Sequence, residues 1–211
     1  MKRVIIWGAS GHAKVIMGAL NGSDFEILAF IDLNINITKL DKYDVYSSVE
    51  QLFEKKNFWL SNEELFFIVA IGGDRGKERI EIHEKLVSMG LKPATVVHPY
   101  AWIDLSAEIG EGSQILGMAA ISAEVKIGKQ TIVNTNATID HETVISDGCH
   151  IMPAATIAGC VIIEKFCTIG SNATILPRVK LKMSTTVGAG AVVTKDTVEN
   201  SIVVGIPAKQ I

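Results

Sequence analysis

The sequence predicts a two-part chain: an α/β domain over residues 1–96, then an all-β domain over 97–211 that coils as a parallel β-helix. Three observations predict it. From Val97 to Val193 a branched or long aliphatic recurs every six residues, seventeen times in succession. Of the 13 aromatic residues (7 Phe, 3 Trp and 3 Tyr), only Phe166 follows Trp102. Before residue 97, short apolar runs alternate with helical patterns and end at glycines, as strands and helices of a small parallel sheet do.

The bulk numbers narrow the function classes. With 48% hydrophobic and 20% charged residues, the chain is neither disordered nor fibrous. A net charge of −3 and a pI near 6.0 argue against a nucleic-acid binder. No run of 18 apolar residues exists to span a membrane. His12 and Lys14 interrupt the apolar start, which reads as strand, turn and helix rather than as a secretory signal. Cys149, Cys160 and Cys167 are odd in number and lack CxxC spacing, so they read as small core residues of a reducing compartment.

In chain order, Val4–Trp7 is a strand, Gly8-Ala9-Ser10-Gly11 a turn, and Ala13–Leu20 a helix. Ile27–Ile31 is a second strand that ends at Asp32. A helix near 49–56 leads to a strand at 66–71, closed by Gly72-Gly73-Asp74. The next helix reaches Met89 and is stopped by Gly90, and a strand at 94–97 leads onward. The glycine turn lets backbone approach a ligand, and the helix N-terminus behind it favours anionic groups. Asp32, at a strand end, is placed to accept a hydrogen bond from a ribose or a base. The GxxG turn is shorter than the GxGxxG of dinucleotide folds, so bound NAD is not expected.

The six-residue period fits neither a helix nor an alternating strand. It fits a chain that turns a corner every six residues, three sides closing one coil of eighteen. The aliphatic points inward, and the residue two before it is small in most repeats (Ala101, Ala107, Ser113, Ala119, Ala137, Cys149, Ala155, Cys167, Ala173, Ala191). A narrow interior explains the loss of aromatics. Stacked coils bury one another's apolar layer.

Of the five histidines, His83 falls inside a helix and His98 precedes Pro99, and both read as structural. His141 lies two residues after inward Ile139, so it sits at or beside a corner facing out, with Glu142 following directly. Histidine is the natural base near neutral pH, and a carboxylate orients it. His150 precedes inward Ile151 and faces out from a flat side. Nine residues separate these two, half a coil, so they face opposite ways in one subunit. Gly159 lies eighteen after His141, one coil above, where a missing side chain suits close approach by an acyl group. No His, Cys and acidic residues stand at ligand spacing along the chain, and no metal is implied.

The hexad pattern and the ending Gly205-Ile206-Pro207-Ala208-Lys209 resemble the hexapeptide-repeat acyltransferases. With GASGHAKV at 8–15, FID at 30–32 and AIGG at 70–73, the whole chain is similar to sugar acetyltransferases of the PglD/NeuD type. The resemblance implies a Rossmann-like N-terminal domain and a left-handed β-helix. It also implies homotrimers with active sites between subunits and acetyl-CoA as co-substrate. The implied activity is N-acetylation of a nucleotide-linked amino sugar, such as a 4-amino-4,6-dideoxy sugar, in cytoplasmic synthesis of a bacterial surface glycan. Carried over, the catalytic position falls on His141, oriented by Glu142. The sugar-nucleotide contacts fall on Ser10, Gly11, His12, Asp32, Leu33 and Gly72, and the coenzyme A contacts on His150, Ser171 and Ala189.

Two departures leave the nucleotide base open. Asp32-Leu33 stands where the UDP-sugar members carry two acidic residues, and Gly73-Asp74 where they carry asparagines. An O-acetyltransferase acting on sialic acid would use the same base. A non-catalytic scaffold that binds sugar nucleotides would not need one.

Overall fold

The computed structural model describes residues 1–56 and 64–211. They fall into two compact units, residues 1–71 with 82–94 and residues 72–81 with 95–211. In the first unit the strands β1 (Lys2–Trp7), β2 (Phe25–Ile31), β3 (Lys39–Leu40), β4 (Tyr43–Tyr46), β5 (Leu65–Val69) and β6 (Lys92–Pro93) form one sheet in the order β3-β4-β2-β1-β5-β6. All pairings are parallel except β3 with β4. Val4 to Trp7 of the central strand are buried, as the unbroken apolar run requires of a strand covered on both faces. The helices are α1 (Gly11–Ala19), α2 (Val49–Lys56) and α3 (Gly76–Ser88).

Two differences from the sequence reading have local causes. The polar stretch after Asp32 contains the β3–β4 hairpin, whose strands of two and four residues are too short to stand out as an alternating pattern. The single strand expected at 94–97 is two strands, β6 and Val96–Val97. Ala94 N–H donates to Phe67 O, whereas Val96 N–H donates to Ser113 O, so the chain changes sheets at Thr95.

The second unit is a parallel β-helix. Strands of two residues recur every six, and each pairs with the strand eighteen residues on: Thr138–Ile139 with Thr156–Ile157, and that with Thr174–Ile175. They build three sheets of eight, six and five strands. Ile121, Ile139, Ile157 and Ile175 point inward at 0–1% exposure, and Ala137, Ala155, Ala173, Cys149 and Cys167 fill the space between them. Burial pushes the Cys149 thiol pKa up, which suits an inert core residue.

At each corner one residue takes a left-handed backbone, again every six: Asn136, Glu142, Gly148, Ala154, Cys160 and Phe166 among them. For a residue with a side chain this costs about 1 kcal/mol. The backbone offsets that cost, because the corner N–H finds a carbonyl on the coil before. Glu142 donates to Ala123 O at 3.0 Å and Cys160 to His141 O at 2.9 Å. Phe166 is such a corner residue. Its ring lies outside the prism against Gly148, with Lys77 Nζ 5.8 Å from the ring centre. The interior thus holds no aromatic ring among the described residues.

A narrow interior has a measurable consequence. Ala155→Leu, at a fully buried position, is expected to lower stability by about 1–3 kcal/mol through overpacking. Thr156→Leu, exposed next door, is expected to stay within about 0.5 kcal/mol. Equal midpoints for both variants in urea unfolding would contradict this packing.

Candidate active site

His141 stands at the corner where the chain leaves the six-stranded sheet and enters the five-stranded one, between Thr138–Ile139 and Val144–Ile145. Its side chain is 52% exposed and that of Glu142 58%. Asp140 Oδ1 accepts the His141 backbone N–H at 2.8 Å, which fixes the turn. His141 Nδ1 lies 2.9 Å from Glu142 Oε2. A carboxylate only accepts here, so Nδ1 carries the proton and Nε2 keeps its lone pair. The imidazole lies over Gly159 of the next coil, and a Cβ there would stand 2.6 Å from Nε2. Gly159, expected to make room for an acyl group, thus leaves the space that the His141 ring occupies. Gly159→Ala is expected to displace the ring and lower turnover roughly tenfold with little effect on stability. An unchanged rate in that variant would show that the ring position does not matter.

The stacking also brings a third group to this corner. Cys160, read from the sequence as a core residue, instead lies partly exposed at a left-handed corner, where eighteen residues after Glu142 it places Sγ 3.6 Å from Glu142 Oε2. The His141, Glu142 and Cys160 donor atoms all lie within 4.8 Å of one another. Ligand spacing sought only along the chain misses such a grouping, because the coil makes it.

His150 lies in the eight-stranded sheet, the side opposite the His141 corner. The two are therefore not brought together within one chain. The His150 ring points away from the prism interior, yet it is 4% exposed, covered within the same unit. Nδ1 sits 3.1 Å from Gly73 O and Nε2 3.1 Å from Asn134 Nδ2. The pairing assigns the proton to Nδ1, with Nε2 accepting from the Asn134 amide. The strand carrying His150 is held from outside by Arg79, at the start of α3 and wholly buried. Its Nη2 donates to Gly148 O at 2.8 Å and to Cys149 O at 3.1 Å, and its Nε to Gln130 O at 3.0 Å. Burial lowers the Arg79 pKa to about 10, which still leaves it charged at neutral pH. Sequence reasoning missed Arg79 and Asn134. A lone arginine in an amphipathic helix carries no signal that it will be buried.

Ser171 and Ala189 are stacked eighteen apart at one corner, where Gly190 N–H donates to Ser171 O at 2.9 Å. Ser171 is partly buried and Ala189 exposed.

In the first unit, Gly8 adopts φ +105, and a Cβ there would meet Ala70 O at 2.7 Å, so only glycine fits the turn. Ser10 caps α1 in extended backbone, and its hydroxyl makes no capping bond. Asp32 ties the turn to the end of β2: Oδ2 accepts from Ala9 N–H at 2.8 Å and Oδ1 from Asn34 N–H at 2.9 Å. Nothing lies within 4 Å of where a Gly11 Cβ would stand, His12 is partly buried, and Leu33 is 70% exposed. Gly72, partly exposed, falls in the second unit.

Two family models match this chain. The PglD N-terminal domain covers residues 3–86, and the bacterial transferase hexapeptide (six repeats) covers 142–177. Among solved structures, a histidine-to-asparagine variant of perosamine N-acetyltransferase from Caulobacter crescentus, in complex with CoA and GDP-perosamine, is 29% identical. The match covers 100% of this chain and 97% of that one at a TM-score of 0.90. The acetyltransferase domain of PglB from Neisseria gonorrhoeae is 30% identical, with 100% of both chains covered and a TM-score of 0.87. It is also known in complex with acetyl coenzyme A. WeeI from Acinetobacter baumannii is 27% identical, with 100% of both chains covered and a TM-score of 0.85.

Proposed function

Because this chain belongs to the PglD/NeuD-type sugar N-acetyltransferases of the hexapeptide-repeat superfamily, we propose that it transfers the acetyl group of acetyl-CoA to the amine of a nucleotide-linked sugar. A 4-amino-4,6-dideoxy sugar is the acceptor we favour, in a surface-glycan pathway of the cytoplasm. No helix among the described residues is long and apolar enough to cross a membrane.

The observation that carries the reading is the 2.9 Å contact between His141 Nδ1 and Glu142 at an exposed corner, which leaves Nε2 as an oriented base. Nε2 takes the proton of the sugar amine as the amine nitrogen attacks the thioester carbonyl. Glu142 stabilises the imidazolium that forms, backbone N–H groups stabilise the oxyanion, and coenzyme A leaves as the tetrahedral intermediate collapses. Cys149 and Cys167 are buried in the core and take no part as nucleophiles. Residues 1–96 would serve as the nucleotide-sugar domain, with Ser10, Gly11, His12, Asp32, Leu33 and Gly72 as contacts. Residues 97–211 would bind coenzyme A through Ser171, Ala189 and the His150 strand, with Gly159 making room for the His141 ring.

Since His141 and His150 occupy opposite sides of one prism, a site that uses both needs a second subunit, and we take the working form to be a homotrimer. Sedimentation at micromolar concentration is expected to show three chains. A fully active monomer would contradict this assembly.

The bond type tests the reaction. Product made from acetyl-CoA and a UDP-, GDP- or dTDP-linked 4-amino sugar is expected to resist hydroxylamine, as an amide does. An acetyl group released by hydroxylamine is an ester and would favour the O-acetyltransferase reading instead.

A further inference from the structure

We infer that His141, Glu142 and Cys160 form a binding site for a thiophilic divalent cation such as Zn²⁺, and that the cation shuts the enzyme off. The donor set is an imidazole, a carboxylate and a thiol, the mixture that zinc takes. The β-helix holds its parts in register. Glu142 and Cys160 occupy equivalent left-handed corners of successive coils (φ 57 and φ 60), and Cys160 N–H is bonded to His141 O at 2.9 Å. Tetrahedral zinc with Zn–N and Zn–O near 2.1 Å and Zn–S near 2.3 Å sets its ligand atoms about 3.4–3.6 Å apart. Glu142 Oε2 already lies 3.6 Å from Cys160 Sγ and 2.9 Å from His141 Nδ1. The second contact has to open by about half an ångström, and the imidazole nitrogen and the thiol, which lie within 4.8 Å of each other, have to settle about 3.6 Å apart. In the single chain His141 and Glu142 are both more than half exposed, and the opening that admits the sugar to His141 also admits the cation, with water completing its coordination.

The inhibition follows from the proton count. The cation takes the place of the proton between Nδ1 and the carboxylate. The imidazole then carries its one proton on Nε2, the nitrogen that must accept the proton of the sugar amine. The thiol loses its proton to solvent, so one proton leaves per cation bound. The base is silenced without any change in fold. This consequence rests on the reading of His141 as base, whereas binding itself does not.

The two are separated by measuring them differently. Co²⁺ added to the full-length, metal-free enzyme is expected to give a thiolate-to-cobalt charge-transfer band in the near ultraviolet at one equivalent. Cys160→Ser is expected to abolish the band, while Cys149→Ala, in the core, keeps it. Cys160→Ser is also expected to turn over within about twofold of the native enzyme. The Zn²⁺ concentration that halves formation of acetylated sugar is expected to rise at least tenfold in that variant, and a chelator to restore the native rate. No thiolate band in the native enzyme, or an equal band in Cys160→Ser, would overturn the site. A band with undiminished turnover at saturating Zn²⁺ would overturn the inhibition, whereas the assignment of His141 as base falls separately, if His141→Ala keeps its rate.

Discussion

Replacing His141 with alanine is expected to lower turnover by a factor on the order of 10² to 10⁴, the range for losing a general base. The geometry gives the reason for a large effect. No other described imidazole stands at this corner, and Nε2 is held in one tautomer by the Nδ1 contact with Glu142 at 2.9 Å. Affinity for acetyl-CoA is expected to stay nearly unchanged, because the imidazole acts on the acceptor amine. Structure should survive as well, since the ring lies outside the prism over Gly159 rather than in its core. A variant that keeps more than a tenth of the native rate would move the search for the base to another residue.

Asp32→Ala is expected to raise the KM for the nucleotide sugar by roughly one to two powers of ten while leaving that for acetyl-CoA unchanged. Each carboxylate oxygen accepts one backbone N–H, from Ala9 or from Asn34, and keeps a second lone pair for a ribose hydroxyl or a base amine. Losing one hydrogen bond to a charged acceptor costs about 1.5–3 kcal/mol, which gives that range. The tether between β2 and the Gly8–Ser10 turn is lost in the same substitution, and this also weakens the nucleotide end alone. A free sugar has no nucleotide to seat there, so activity on sialic acid would be indifferent to the change. Equal kinetics of the variant and the native enzyme with a nucleotide-sugar acceptor would detach the nucleotide from this residue.

What could be read from the sequence follows the reach of the interactions involved. The β-helix was legible because each inward position obeys a local rule repeated along the chain: Ile139, Ile157 and Ile175 follow at a fixed eighteen, with Ala137, Ala155 and Ala173 two before. One register error would have put polar residues inside. The corner geometry of His141 and Glu142 was legible for the same reason, being set by neighbours in sequence. Contacts between coils were readable in principle from the same eighteen-residue step, as Cys160 over Glu142 shows, but the step has to be applied to side chains and not only to the core. Arg79 was out of reach. Its three carbonyl acceptors lie 51, 69 and 70 residues away, and no local pattern announces such a bond. His150 was read as facing out and lies away from the interior, but the cover over it comes from Gly73, 77 residues earlier.

The central claim is that this chain acetylates the amine of a nucleotide-linked sugar, and kcat/KM across an acceptor panel tests it most directly. The panel holds UDP-, GDP- and dTDP-linked 4-amino sugars, the same amino sugars without a nucleotide, and free sialic acid, with acetylated product measured in each. At least one nucleotide-linked amino sugar is expected to exceed its free counterpart by the factor of ten or more that nucleotide binding supplies, with sialic acid inert. Acetylation of sialic acid with no turnover of any nucleotide-linked amine would contradict the account.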